Sequence, residues 1–361
     1  MSASFDTGLV DSLLVNLKGL AVRPMRFMEV CGTHTVSIFR SGLRSLIPEE
    51  IKLVSGPGCP VCVTDQGEID AFIKVSRMSG VTIATFGDLV RVPGTSGSLA
   101  EARAEGADVK VVYSSMDALD IAIRQDDNKL IVFLAVGFET TIPGIAATIK
   151  EAKRASIGNF TIFPALKLMP PALCAILPGH KPYLDGLICP GHVSSIIGAG
   201  AYRPTARDFG LPCVIAGFEP AEMIAALILL ARQAGEGRAE VENAYPKAVS
   251  WDGNSRAMRF MDEVFEPSDA RWRGIGSIKD SGLTLKAGYG EFDARVRLGV
   301  EVKPATEPDG CLCGDIIKGM RSPQDCPFFR TRCTPVTPIG PCMVSSEGTC
   351  AAHYRYEKGF R

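Results

Sequence analysis

Between about residue 25 and residue 235, short apolar runs rich in β-branched residues alternate with stretches in which apolar positions recur at helical spacing. MRFMEV (25–30), IKLV (51–54), VTIATF (81–86), VKVVY (109–113), LIVFLAV (130–136), FTIF (160–163), GLIC (186–189) and CVIAGF (213–218) read as buried strands. Segments between them, such as 36–47 with Val36, Phe39, Leu43 and Leu46, read as helices. Strands that alternate with helices build parallel sheets covered on both faces. A faint internal echo, LAVGFETTIPGIAATI (134–149) against VIAGFEPAEMIAALIL (214–229), favours two such sheets over one large one. The expected fold is α/β: two similar parallel-sheet domains around a cleft, residues 1–125 and 126–250. A third, irregular region, 251–361, follows where the alternation gives way to a Cys/Pro-rich tail.

Composition leaves this picture intact and narrows the function. Of 361 residues, 46% are hydrophobic and 22% charged, the balance of a folded chain. Thirty-nine Lys and Arg face 40 Asp and Glu, so no broad basic face for nucleic acid is expected. The longest apolar runs, such as Met223 to Ala231, fall far short of the roughly 20 residues that span a bilayer. The N-terminus lacks the basic start and small-residue cleavage site of a signal peptide. A cytoplasmic protein that binds neither membrane nor nucleic acid is expected. No phosphate-binding P-loop, G-x-S-x-G elbow or H-E-x-x-H pair occurs, so nucleotide hydrolysis and ordinary hydrolase chemistry lose their usual support.

What composition does not explain is the 12 cysteines: three lie between residues 31 and 62, three between 174 and 213, and six between 311 and 350. In a reducing cytosol, clustered thiols point to metal ligation or redox chemistry before structural disulfides. In the tail, Cys313, Cys326, Cys333 and Cys350 are separated by 12, 6 and 16 residues, and prolines at 323, 327, 335, 338 and 341 break any long helix. A segment so poor in apolar residues needs something other than a core to hold it, and four thiolates on one metal centre would do so. Structural zinc sites prefer closely spaced pairs. The wide spacing therefore favours a [4Fe-4S] cluster over zinc and leaves Cys311 and Cys342 as spares.

The N-terminal thiols sit at strand ends. Cys31-Gly-Thr-His34-Thr35 places a cysteine where a helix begins, so the helix's positive end is expected to push it toward a thiolate, with His34 three residues on. Gly56-Pro-Gly-Cys59-Pro-Val-Cys62 follows the next strand, and Asp65 and Glu68 are spaced as a capping box for the helix after it. A Cys-x-x-Cys between strand and helix signals reversible dithiol chemistry. Two further strands end in Gly137-Phe-Glu139-Thr140-Thr141 and Cys189-Pro-Gly-His192-Val-Ser194. Ligands bind beyond the carboxyl ends of strands in open α/β sheets, so Cys31, Cys59, Cys62, Glu139 and His192 are expected to line one cleft if the two sheets face each other. His34 or His192 would move protons near neutral pH.

Taken together, Cys31-Gly-Thr-His-Thr35, Gly56-Pro-Gly-Cys-Pro-Val-Cys62, Gly137-Phe-Glu-Thr-Thr141, Pro190-Gly-His-Val-Ser194 and the four-cysteine tail resemble the HypD family of hydrogenase maturation factors over about residues 25–356. The resemblance implies two α/β domains around a cleft and a third region with a [4Fe-4S] cluster on Cys313, Cys326, Cys333 and Cys350. It implies work with the small chaperone HypC and the cyanide donor HypE to assemble the Fe(CN)₂CO group of [NiFe]-hydrogenases. In that role the protein is an assembly scaffold without a conventional turnover reaction, monomeric on its own. Cys31 would hold iron carrying CN and CO, and Cys59 and Cys62 would be the redox pair. His34, Glu139, Thr140 and His192 fall on cleft motifs. Two other classes compete: a stand-alone iron–sulfur thiol-disulfide oxidoreductase, and a zinc-stabilised binding protein.

Overall fold

The computed structural model describes residues 7–125, 129–180 and 183–357. Helix α1 (Thr7–Leu20) leads into β1 (Met25–Glu29), α2 (Gly32–Arg40), β2 (Ile51–Ser55), the short α3 (Pro60–Val63) and α4 (Gln66–Ser76). Strands β3 (Val81–Thr85), β4 (Asp108–Val111), β5 (Leu130–Gly137) and β6 (Phe160–Leu166) follow. Next come β7 (Gly186–Pro190), β8 (Cys213–Ala216) and the brief β9 (Val241–Asn243). All eight strands read from the sequence are present, and β9 is an addition.

Two parallel sheets result, with strand orders β2-β1-β7-β8-β9 and β4-β3-β5-β6. The second sheet is one continuous insertion between the strands of the first, so the sheets do not divide the chain at residue 125 as the expected units 1–125 and 126–250 would. The physical reason is that β1 pairs with β7, at Phe27 with Gly186, and not with β3. Alternation of strand and helix is legible in sequence, whereas the choice of neighbour is a long-range packing decision. The echo remains informative, because its two copies are β5 with its helix in one sheet and β8 with its helix in the other. β3, β5, β6, β7 and β8 are apolar runs because both faces are covered; β6 and β7 are buried at every residue.

Past residue 250 the chain is less irregular than expected at first. Asn254 caps helix Ser255–Val264, which runs into an antiparallel hairpin of β10 (Phe265–Trp272) and β11 (Gly276–Leu285). The solvated face of this hairpin gives it a mixed polar pattern, which hid it from the search for buried runs. Short helices and loops make up the remainder, including Cys313–Ile317 and Thr349–Tyr356. Among the described residues no helix is long and apolar enough to cross a membrane.

Candidate functional site

Three of the sequence motifs and the second copy of the echo converge because β1, β2, β7 and β8 are neighbours in one sheet and end on the same side. Cys31 is the N-cap of α2, in extended conformation (φ −150°). The Gly56–Cys62 loop lies directly against it: Gly32 N–H donates to the Gly58 carbonyl at 3.1 Å. A Cβ on Gly58 would sit 2.4 Å from the Cys31 Cα, so only glycine fits there. Cys59 caps α3, its sulfur accepting from Cys62 N–H at 3.2 Å, and the Cys-x-x-Cys turn brings the two Cα atoms to 5.2 Å, where a disulfide joins them. The capping box expected of Asp65 and Glu68 is present on α4. A small cavity is lined by Gly32, Thr35, Cys59, Cys62 and Glu347, and also by Cys342 of the tail.

Cys31 departs from expectation in its ionisation. Burial and the nearby Glu347 carboxylate push its thiol up to about 11, outweighing the N–H groups of His34 and Thr33 that favour the thiolate. Only 7% of Cys31 is exposed, so the cost of a bare buried charge exceeds the benefit of the helix end. A metal cation would reverse this, since ligation replaces the proton on sulfur. Two acids that the sequence reading passed over shape the same spot. Glu29 is buried two residues before Cys31, accepts from the Thr35 hydroxyl and lies 4.0 Å from the Arg44 guanidinium. Glu347 accepts from the Thr33 hydroxyl at 2.6 Å. The signal for Glu29 was available, a charged residue within an otherwise apolar strand; Glu347 arrives from 314 residues away.

His34 and His192 do come together, on either side of Phe218. The His34 ring lies 4.8 Å from it and the His192 ring 3.9 Å, nearly parallel. Phe218 belongs to the second copy of the echo and was not singled out. His34 is wholly buried and its Nε2 donates to the Ala216 carbonyl at 3.2 Å. Burial lowers its pKa to about 4, which favours the neutral ring at pH 7. His192 is exposed at the site's edge, and partial desolvation lowers its pKa.

Glu139 and Thr140 end β5 in the other sheet, and Thr140 is exposed. Glu139 is buried, accepts from Met169 N–H at 2.8 Å and leaves its second oxygen without a hydrogen-bond partner. Neither Glu139 nor Cys31 lines the cavity beside Cys59 and Cys62; Glu139 serves as a strut between the end of β5 and the helix Met169–Ile176. Burial raises its pKa to about 7. A carboxyl whose folded pKa lies above its unfolded value stabilises the fold at low pH and loses that contribution as pH rises through the folded pKa. Between the ordinary 4.5 and about 7 this amounts to roughly 3 kcal/mol. Glu139→Gln is therefore expected to raise the melting temperature at pH 8.5 and leave it nearly unchanged at pH 4.5. Thermal melts at the two values check this, and equal shifts at both would refute it.

In the tail, all six cysteines from 311 to 350, the two supposed spares included, line one largely apolar cavity with Ile316, Phe329 and Met343. Backbone N–H groups point at two of the sulfurs: Ile339 at Cys333 (3.3 Å) and Cys350 at Cys342 (3.2 Å). Hydrogen bonding to Cys313 and burial raise the pKa of Cys311, and burial raises that of Cys333. Among the described residues no three His, Cys, Asp or Glu side chains converge on a single ion position. As a donor set the cavity fits an iron–sulfur cluster in its chemistry: thiols only, N–H to sulfur bonds and an apolar wall. Cys342 lines this cavity and also that of the Cys59–Cys62 disulfide, so one side chain separates the two.

Fold and site together define a two-sheet α/β protein whose cysteines are gathered at one end of a sheet and in an adjoining tail. The HypD family, described as the hydrogenase formation hypA family, matches residues 9–357. The hydrogenase maturation factor HypD2 of Bradyrhizobium diazoefficiens is 45% identical over 342 residues, 92% of this chain and 90% of that protein. HypD of Escherichia coli is 41% identical over 344 residues, 95% and 92% of the two chains. A putative hydrogenase expression/formation protein of Methanocaldococcus jannaschii is 41% identical over 98% of both. The chain belongs to the HypD family of hydrogenase maturation factors, and its role lies in hydrogenase maturation.

Proposed function

We propose that this protein is the cytoplasmic scaffold on which the Fe(CN)₂CO group of [NiFe]-hydrogenase is built, together with HypC and HypE. The observation that carries the reading is the shared wall: Cys31 abuts the Cys59–Cys62 loop, and Cys342 lies between that pair and the cavity of six thiols. Cys31 is the ligand for the substrate iron, jointly with a thiol of the small chaperone, because a soft sulfur suits iron carrying diatomic ligands. Glu29 and Glu347 flank it and, through Thr35 and Thr33, fix the start of α2 beside the cavity. Cys313, Cys326, Cys333 and Cys350 are the residues that would hold a [4Fe-4S] cluster, which would supply or accept single electrons. Cys59 and Cys62 take two electrons and two protons on opening their disulfide and return them on closing it.

Burial favours an internal relay over a stand-alone oxidoreductase. Cys59 is 6% exposed and Cys62 1%, so a protein disulfide cannot reach either sulfur without opening the fold. Cys59→Ser or Cys62→Ser is expected to block hydrogenase maturation while leaving the cluster's visible absorption intact. Turnover of disulfide substrates by the isolated protein, with no effect of either substitution on maturation, would support the oxidoreductase instead. Metal analysis after anaerobic purification addresses the cluster itself: about four iron and four sulfide per chain are expected, and zinc in their place would refute it.

A further inference from the structure

Arg273 sits at the turn between β10 and β11 and is 1% exposed. Its backbone N–H donates to Val63 O at 2.9 Å, its Nε to Thr64 O at 3.0 Å and its Nη1 to Gln66 Oε1 at 2.8 Å, so it is held by the residues that immediately follow Cys62. The next residue, Gly274, touches the backbone of Gly314, beside Cys313: an added Cβ would sit 2.2 Å from the Gly314 Cα. The hairpin tip thus bridges the residues that follow Cys62 and the one that follows Cys313. Every bond Arg273 makes is to a neutral acceptor, and its Nη2 has no partner. Glu307, the carboxylate at this tip, accepts from Gly274 N–H (2.6 Å) and forms no ion pair with Arg273. An arginine buried without an anion is costly.

We infer that Arg273 is the counter-cation of the thiolate-bound centre in the tail, a positioning residue whose charge stabilises that centre's reduced form. This rests on the cluster reading above. Four thiolates around a [4Fe-4S] core make a dianion that becomes a trianion on taking up one electron, and a fixed buried cation favours the more negative state. The same guanidinium, tied to Thr64 and Gln66, keeps the cluster side and the disulfide side in register.

Reductive titration with dithionite of the full-length protein, purified anaerobically and followed by visible absorbance and electron paramagnetic resonance, tests this. Arg273→Gln is expected to make reduction at least tenfold less favourable, about 59 mV lower in midpoint for one electron, whereas Arg273→Lys, which keeps the charge, stays near the wild type. Should Arg273→Gln fail to fold, Gln66→Glu decides, since it supplies the missing carboxylate to Nη1 at nearly constant shape and is expected to lower the midpoint in the same sense. A merely structural arginine predicts no change in Gln66→Glu and an equal loss in the Lys and Gln variants. A midpoint unmoved in both Arg273→Gln and Gln66→Glu overturns the inference while leaving the cluster reading standing. Wild-type protein without iron and sulfide overturns both.

Discussion

Cys31→Ala, purified together with the small chaperone, is expected to lack the infrared bands of iron-bound CO and CN while keeping the iron, sulfide and visible absorption of the tail cluster. The two proposed metal sites would separate because they use different elements: Cys31 starts α2 at the end of β1, and the tail thiols lie beyond residue 310. The fold should tolerate the change, since the Cys31 carbonyl, which accepts the first helical N–H groups, is retained by alanine. The high thiol pKa adds a second signature. Iron uptake at Cys31 must release a proton, so it strengthens with pH up to about 11, where an ordinary cysteine would level off near 9. Bands that persist in Cys31→Ala would remove this residue from the mechanism.

Gly58→Ala is the second large expectation, because it leaves every cysteine in place. Its new methyl would stand 2.4 Å from Cys31 Cα, 2.5 Å from Cys31 N and 2.7 Å from Val30 C, all backbone atoms of a buried strand end that cannot rotate away. Either the Cys59–Cys62 loop lifts off Cys31 or β1 shifts, at a cost of about 3 kcal/mol. The expected result is a lower melting temperature and loss of substrate iron despite an intact thiol count. Gly144→Ala is the control: nothing lies within 4 Å of its added carbon. It falls in the helix Ile142–Arg154, so it should be neutral or stabilising by up to about 1 kcal/mol. A Gly58→Ala protein with wild-type melting and iron content would contradict the close approach on which the site depends.

Several parts of the site were legible because their chemistry is local. Cys31, Cys59 and Cys62 could be placed at helix starts from the strand runs before them, and the disulfide span follows from a four-residue turn. Their ionisation was not legible in that way. The helix end that should favour a Cys31 thiolate is visible in sequence, but the burial and the Glu347 charge that defeat it come from the other end of the chain. The same holds for His34, whose position predicts a proton carrier and whose burial makes it a neutral hydrogen-bond donor. Phe218 and Arg273 have no motif of their own. Each matters through what tertiary packing sets beside it.

By itself, then, the sequence determined the elements and the chemical inventory: eight strands, helices between them, and thiols at strand ends and in the tail. Periodicity and turn chemistry act over a few residues, so they survive in a linear reading. Only the tertiary structure decided that β1 pairs with β7 and that the second sheet is an insertion in the first. It also decided that Cys311 and Cys342 join the other tail thiols, and that a buried arginine with no anion partner is held by the residues just after Cys62. Those outcomes depend on burial and on electrostatics across hundreds of residues, where energies are set by which surfaces meet and not by which residues are adjacent.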